Sequence, residues 1–150
     1  MRILKAPFWK SLLWAQNRHH KHGVLIHTLK VTMYLIKKKY YRMILAGLLH
    51  DIGKPFVAFQ DESDLKRDYL SYSFINHEEA SYQIIKNWNF VSNYTKDLVR
   101  YHYLLRDLKL SKAKGKFARY NRLHKIYNKL SNEMKKDLAL FLICDDLGKK

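Results

Sequence analysis

The sequence predicts an all-α fold, a bundle of about seven helices forming one domain over residues 1–150. Apolar residues recur at helical spacing along nearly the whole chain, and no stretch alternates apolar and polar residues long enough to require a β-strand. The chain has 5 glycines and 2 prolines, too few for a turn-rich all-β fold. Its 150 residues are enough to bury a core without disulfides.

Three helices are expected before the middle of the chain. The first begins at Pro7, since proline is favoured at a first helical position. After a histidine-rich loop, the second runs from about Val24 to Lys38. The third, Tyr41–Leu49, ends at His50 and Asp51 because a glycine and a proline follow closely.

A loop of about 20 residues, Phe56–Phe74, precedes the fourth helix, and loops of this length inside a compact domain are often functional. The fourth helix is expected from Asn76 to Trp88. Asn76 followed three residues later by Glu79 resembles a capping box, in which the asparagine side chain accepts a helical N–H.

The three remaining helices occupy the C-terminal part. They are expected from Ser92 or Asn93 past His102 to Leu108, from the basic connector Lys109–Lys116 to Leu130, and from Ser131 or Asn132 to Gly148. The aromatic residues of the middle one are expected to pack into the core, because aromatic residues at helical spacing usually do.

The charge is strongly positive, with 29 Lys and Arg against 13 Asp and Glu and a net charge of +16. Such a field attracts polyanions and phosphorylated ligands. The segment Leu108–Leu130 holds eight basic residues and no acidic one. Four of them form a candidate nucleic-acid patch: Lys112, Lys114, Lys116 and Arg119. The alternative is a solvated helix face.

The compartment is expected to be the cytoplasm. The chain has one cysteine, Cys144, so no internal disulfide can form. No apolar run reaches the roughly 18 residues that a membrane span needs, and no signal peptide is recognised at the N-terminus.

Four residues suggest metal chemistry: His27, His50, Asp51 and Asp145. Each lies on or directly after an apolar helix, where a carboxylate is costly to desolvate unless it is paired or bound to a metal. Imidazoles and carboxylates together suit Mn, Fe, Co, Ni, Zn or Mg. Taken singly, each also fits a plainer role, as a satisfied core histidine or a helix-terminal cap.

The order of several motifs resembles the HD-domain metal-dependent phosphohydrolase superfamily. The motifs are His27-Thr28-Leu29, the block LLHDIGKP at residues 48–55, His77-Glu78-Glu79, His102 and Asp145. The sequence is most similar to the HD domain attached to bacterial CCA-adding tRNA nucleotidyltransferases, over about residues 16–148. Because no nucleotidyltransferase domain accompanies it, we expect a free-standing HD domain.

The resemblance assigns metal ligation to His27, His50, Asp51 and Asp145. His22 remains an alternative to His27, and Asp146 to Asp145. Two further histidines match those of HD subfamilies that hold a second metal: His77 and His102. Their alternative role is to contact substrate phosphate.

The resemblance implies hydrolysis of a phosphate mono- or diester of a nucleotide or RNA end through a metal-activated water. Asp51 and Lys54 are the candidate catalytic residues, and Lys54, Arg100 and Arg106 are candidate phosphate contacts. The alternative function is a non-catalytic, metal-containing RNA- or nucleotide-binding module. The oligomeric state is left open.

Overall fold

The computed structural model describes residues 4–5, 12–13, 20, 22–62, 66 and 72–150. These residues are largely helical, which confirms the all-α prediction. Within them lie eight bounded α-helices: α1 Val24–Lys37, α2 Ile44–Leu49, α3 Lys54–Val57, α4 His77–Ile85, α5 Asn93–Tyr101, α6 Leu104–Ala113, α7 Phe117–Lys129 and α8 Asn132–Gly148. None of the helices described has both the length and the apolar character needed to cross a membrane.

The region that the sequence indicated as a long loop contributes one strand to a small antiparallel sheet. Strand β1, Leu4–Lys5, pairs with β2, Phe59–Gln60, and Phe59 also bridges to Ser73. Two-residue strands are too short to produce an alternating pattern, so periodicity gives no sign of them.

The core lies where α1, α2, α5 and α8 meet, and α1 packs directly on α2 and α8. Its fully buried members include Leu35, Leu98, Leu138 and Phe141. Gly47 allows α2 to approach α1 closely, because an added Cβ would lie 2.7 Å from the Leu35 side chain. These contacts bring the C-terminal end of α2 to the middle of the bundle.

The predicted fifth helix is divided in the structure. Helix α5 ends at Tyr101 and α6 begins at Leu104, with His102 in the turn between them. The buried residues Leu98 and Leu104 flank the break, so the apolar pattern continues across it. The prediction of a continuous helix was therefore wrong, and most of the expected basic connector belongs to α6.

The start of α4 also differs from its prediction. Asn76 has a φ of 58° and its side chain makes no capping hydrogen bond, so the capping-box interpretation was wrong. Asparagine tolerates this left-handed conformation and here turns the chain directly into His77. The helix ends at Ile85 rather than at Trp88.

Of three further expectations, one is confirmed, one was wrong and one falls mostly outside the described residues. The cap of the last helix is confirmed, since the Ser131 hydroxyl accepts the N–H of Met134. The prediction that the aromatic residues of α7 pack in the core was wrong, because no residue of α7 is buried. Most of the helix expected from Pro7 lies outside the described residues. Residues 12–13, which the structure does describe, are helical.

We expect Gly53→Ala to destabilise the fold by about 1–3 kcal/mol, the usual cost of overpacking a close contact. A Cβ at Gly53 would lie 2.4 Å from the backbone nitrogen of Ser81, which cannot move without shifting α4. Urea denaturation measures the change. Gly115→Asn is the control, since Gly115 has open space and a φ of 64° that asparagine tolerates. Equal stabilities of the two variants would contradict the expectation.

Candidate metal centre

Seven buried side chains converge where several helices begin or end. They are His27 from α1, His50 and Asp51 after α2, Lys54 at the start of α3, His77 at the start of α4, His102 after α5 and Asp145 near the end of α8. Residues from distant parts of the sequence therefore meet in one place. The structure thus brings together every residue that the resemblance assigned to metal binding.

The local chain path explains why two consecutive residues both face inward. His50 caps α2, and the chain then turns into α3. The Ser81 hydroxyl donates to the His50 carbonyl oxygen at 2.7 Å and accepts the Gly53 N–H at 2.9 Å. This pair of hydrogen bonds fastens the turn to α4 and holds the side chains of His50 and Asp51 in the interior.

The Asp51 carboxylate lies at the centre of the cluster and is 1% exposed. Its Oδ2 atom lies 3.2 Å from His50 Nε2, 3.5 Å from His27 Nε2 and 2.7 Å from Lys54 Nζ. Burial alone would raise the pKa of Asp51, but the charges of His50 and Lys54 hold it well below its usual value. The group therefore remains a carboxylate.

The other oxygen of Asp51, Oδ1, faces a second pair of imidazoles. It lies 3.5 Å from His77 Nε2 and 3.8 Å from His102 Nε2. It accepts no hydrogen bond from any residue that the structure describes. A buried carboxylate oxygen in this state lacks a compensating partner.

Three of the histidines are oriented in the same way. In each, Nδ1 donates to the carbonyl oxygen three residues earlier: His50 to Gly47 at 2.8 Å, His77 to Phe74 at 2.9 Å and His102 to Val99 at 2.7 Å. A carbonyl can only accept, so Nδ1 carries a proton in all three rings. Histidines that ligate metals are commonly oriented in this way, with Nε2 left for the ion.

The pair His77 and His102 shows most clearly that a cation fits. Their Nε2 atoms lie 3.2 Å apart. Burial lowers the pKa of His77 to about 4 and that of His102 to about 3, so neither ring holds a second proton at neutral pH. Two acceptor lone pairs and a carboxylate oxygen therefore face one point, which is the donor set of a divalent metal.

The cluster contains two groups of ligand atoms that share Asp51. One consists of His27, His50 and Asp51, and the other of Asp51, His77 and His102; within each group the atoms lie within 4.8 Å of one another. The donors are nitrogen and oxygen only, which suits first-row transition metals and excludes none of the ions expected from the sequence.

Asp145 adjoins the first group. Its Oδ1 accepts a hydrogen bond from His27 Nε2 at 3.0 Å and lies 3.7 Å from His50 Nε2. Burial alone would raise the pKa of Asp145, but this hydrogen bond and the charges of His50 and Lys149 hold it well below its usual value. Asp145 is thus a second anionic oxygen donor at the same place.

The two alternatives that the sequence left open lie outside the cluster. The Asp146 side chain is half exposed and binds Arg106 and Lys149. His22 Nε2 lies 2.8 Å from Lys30 Nζ on the neighbouring turn of α1. The structure therefore places His27 and Asp145, rather than these two, among the ligand candidates.

The candidate phosphate contacts divide into two kinds. Arg106 lies at the edge of the cluster, where its guanidinium bonds Asp145 at 3.0 Å, and Lys54 lies inside it. Arg100 instead pairs with Glu79 at 3.0 Å and stacks on the ring of Tyr82, away from the cluster. The guanidinium of Arg100 is thus engaged by α4, and its role as a phosphate contact stays a prediction.

One of the four residues of the candidate nucleic-acid patch is held in an ion pair. Arg119 bonds both carboxylate oxygens of Asp107, at 3.2 and 2.6 Å, so its guanidinium is engaged within the arm formed by α6 and α7. Lys112, Lys114 and Lys116 are exposed.

Two residues at the cluster were not selected from the sequence. The ring of His20 lies 5.1 Å from that of His27, and burial, with the nearby charge of Lys54, lowers the pKa of His20 to about 3. The Tyr103 ring lies 5.3 Å from that of His77. The histidine-rich loop was a signal for the former, and nothing in the pattern marked Tyr103.

Comparison with known proteins agrees with this geometry. A family model described as the HD domain matches residues 24–144, most of the chain. The chain belongs to the HD-domain family. No significant match was found among curated proteins or among solved structures. The residues that name an HD domain, His50 and Asp51, are those at the centre of the cluster.

We expect the metal-free protein to lose stability as the pH falls from 6.5 toward 4.5. His102 has a folded pKa near 3 and an unfolded value near 6.5, so in this range only the unfolded chain gains a proton. His102→Gln removes this difference and should flatten the curve by up to about 1.4 kcal/mol per pH unit. Urea titrations in a chelator at several pH values measure it.

His50 acts in the opposite sense over a different range. Burial alone would lower the pKa of His50, but the attraction of Asp51 outweighs burial and raises it. The contribution of His50 to the stability of the fold is therefore present below pH 6.5 and declines as the pH rises further. The comparison is therefore confined to pH 4.5–6.5. Parallel curves for the wild type and His102→Gln would show that His102 takes up a proton in the folded protein.

Proposed function

We propose that this HD-domain protein is a metal-dependent phosphohydrolase that cleaves a phosphate mono- or diester of a nucleotide or an RNA end. The observation that carries the proposal is the Asp51 carboxylate with two groups of inward-facing imidazole nitrogens on its two sides. Membership of the HD family supports metal-dependent hydrolysis as the reaction class.

Two ions are proposed, with Asp51 shared between them. His27, His50 and Asp145 would hold the first, and His77 and His102 would hold the second. Bound divalent cations supply Lewis-acid activation of water and neutralise the charge that develops on a phosphoryl group. In their absence the positive charge of His50 and Lys54 compensates Asp51, so metal binding is expected to compete with protons.

The protein's own groups would bind and orient the phosphate. Lys54 provides an ammonium inside the cluster, held between Asp51 and the face of the Phe74 ring. Arg106 provides a guanidinium at the edge, with its Nε buried and no hydrogen-bond partner for that atom in the described structure. Tyr103 packs between Arg106 and His77 and limits the access of water to this side.

The substrate class follows from charge. A chain with a net charge of +16 favours a polyanionic ligand, and a nucleotide or an RNA end is of that kind. The test begins with metal analysis of the purified protein. Phosphatase and phosphodiesterase substrates are then assayed with Mn, Co, Ni and Mg. Bound metal without turnover on any substrate would favour the non-catalytic binding module instead.

Asp51→Asn should lower kcat/KM by at least about 100-fold, because even a change to an outer partner of a metal ligand costs about 10- to 100-fold. The variant should stay folded, since it replaces a buried charge with a group of the same shape. Steady-state kinetics and bound-metal content are measured together. Asp97→Asn, at an exposed site on α5, is the matched control. Turnover close to wild type in Asp51→Asn would remove the cluster from catalysis.

Arg106→Gln and Arg100→Gln form a second matched pair. Loss of a charge-assisted hydrogen bond to phosphate costs about 1.5–3 kcal/mol, so Arg106→Gln should raise KM by about tenfold or more. Arg100→Gln should change KM by no more than about twofold, as expected for a surface substitution. The reverse order would show that the substrate phosphate lies beside α4 and α5.

A further inference from the structure

The aromatic rings of helix α7 are not buried in the core: those of Phe117 and His124 are exposed, and those of Tyr120 and Tyr127 are partly exposed. No residue of this helix is buried, and Phe117 is 65% exposed. Leu123 and Ile126 of α7 line a cavity of about 250 Å³ with residues of α4, α5 and α6. Neither Tyr120 nor Tyr127 lines this cavity, and both rings remain partly exposed.

Three of these rings form a row along the helix. The Tyr120 and His124 rings are 5.5 Å apart and 15° from parallel, and His124 and Tyr127 are 6.4 Å apart and 28° from parallel. The spacing of four and then three residues places them on one side of the helix. We call Tyr120, His124 and Tyr127 the ring row.

Positive charge surrounds the ring row. The segment Leu108–Leu130 contains eight Lys and Arg and no Asp or Glu. Lys116 precedes Tyr120 by one helical turn, and the Lys135 ammonium lies 5.2 Å from the centre of the Tyr127 ring. For Lys112, Lys114, Lys116, Lys125 and Lys129, the described residues provide no carboxylate within ion-pair distance.

We propose that the ring row and its flanking lysines bind single-stranded RNA, with bases stacking on the rings and phosphates contacting the ammonium groups. Stacking needs an unpaired base, because the base faces of a duplex are covered. The choice of RNA over DNA rests on the proposed function. The exposed amide of Asn121, on the adjoining face, can donate to and accept from a ribose 2′-hydroxyl, whereas the Asn128 amide nitrogen lies 3.3 Å from His124 Nδ1.

The position of the arm connects this surface to the metal centre. Helix α6 begins two residues after His102, and Arg106, on its first turn, bonds Asp145. The bidentate pair between Arg119 and Asp107 fixes α7 to α6. RNA held on the ring row is therefore bound to an element that starts at the cluster.

The test is fluorescence anisotropy with a labelled 12-nucleotide oligouridine in a chelator, so that binding is measured without turnover. Tyr120→Leu and Tyr127→Leu keep an apolar side chain and the charge but remove a ring. Each should weaken binding by about 5- to 150-fold, the usual effect of losing one stacked base. Tyr41→Leu is the matched control, since Tyr41 is 61% exposed and belongs to the short turn before α2 and not to α7.

A salt titration isolates the charges. Replacing Lys112, Lys114 and Lys116 with Gln should reduce the slope of log affinity against log salt by about 0.7 for each phosphate that the variant no longer neutralises. Circular dichroism confirms folding, which is expected because none of the substituted side chains is buried. An unchanged slope would mean that these lysines form a solvated face and would overturn their part in the surface.

Three outcomes would overturn the proposal. One is equal loss of affinity for Tyr120→Leu and Tyr41→Leu, and another is an equal effect of Tyr120→Leu on duplex and single-stranded RNA. The third is binding of oligodeoxythymidine as tight as that of oligouridine, which would remove the preference for RNA. Because binding is measured in a chelator and without turnover, a failure of hydrolysis alone is distinguished from a failure of this surface.

Discussion

The structure depends on one buried carboxylate. Removing the charge of Asp51 from water costs several kcal/mol unless partners compensate it. Those partners are the Lys54 ammonium, 2.7 Å from Oδ2, and the His50 ring, whose pKa the attraction of Asp51 raises against the effect of burial. His77 and His102 complete its surroundings without supplying charge, since both rings are neutral at physiological pH. The site is thus balanced on one side of Asp51 and short of positive charge on the other.

Several helices begin or end at the site of Asp51, and their termini orient the histidines around it. A helix terminus lets a side chain and a backbone carbonyl act together, as when the Nδ1 atoms of His50, His77 and His102 bond carbonyls of the preceding turn. The ring of Phe141 lies 5.4 Å from that of His50 and forms an apolar floor beneath the cluster. The apolar core therefore holds the polar site rigid, and such rigidity is what a preorganised metal centre requires.

Several features were accessible from sequence because they depend on local pattern. An HD doublet after the apolar α2, and Asp145 near the end of the apolar α8, are carboxylates in places where burial is costly, so periodicity alone draws attention to them. The break at His102 was not accessible, because apolar residues continue on both sides of it and no glycine or proline marks an end. His20 was hidden among neighbouring histidines, since composition cannot say which ring of such a loop turns inward.

Helix α7 is a second case in which the apolar pattern does not determine the structure. Two stripes run along it, one of Leu123 and Ile126 and one of rings, and periodicity cannot decide which stripe meets the protein. Leu123 and Ile126 line the cavity beside the body of the protein, and Tyr120 and Tyr127 are partly exposed next to them. The ring row then spans eight residues, about 10 Å of helix, and runs from the tip of the arm back toward the body. Under the proposed function, an RNA strand lying along the ring row would extend in the same direction, with recognition on the arm and hydrolysis at the buried Asp51 carboxylate.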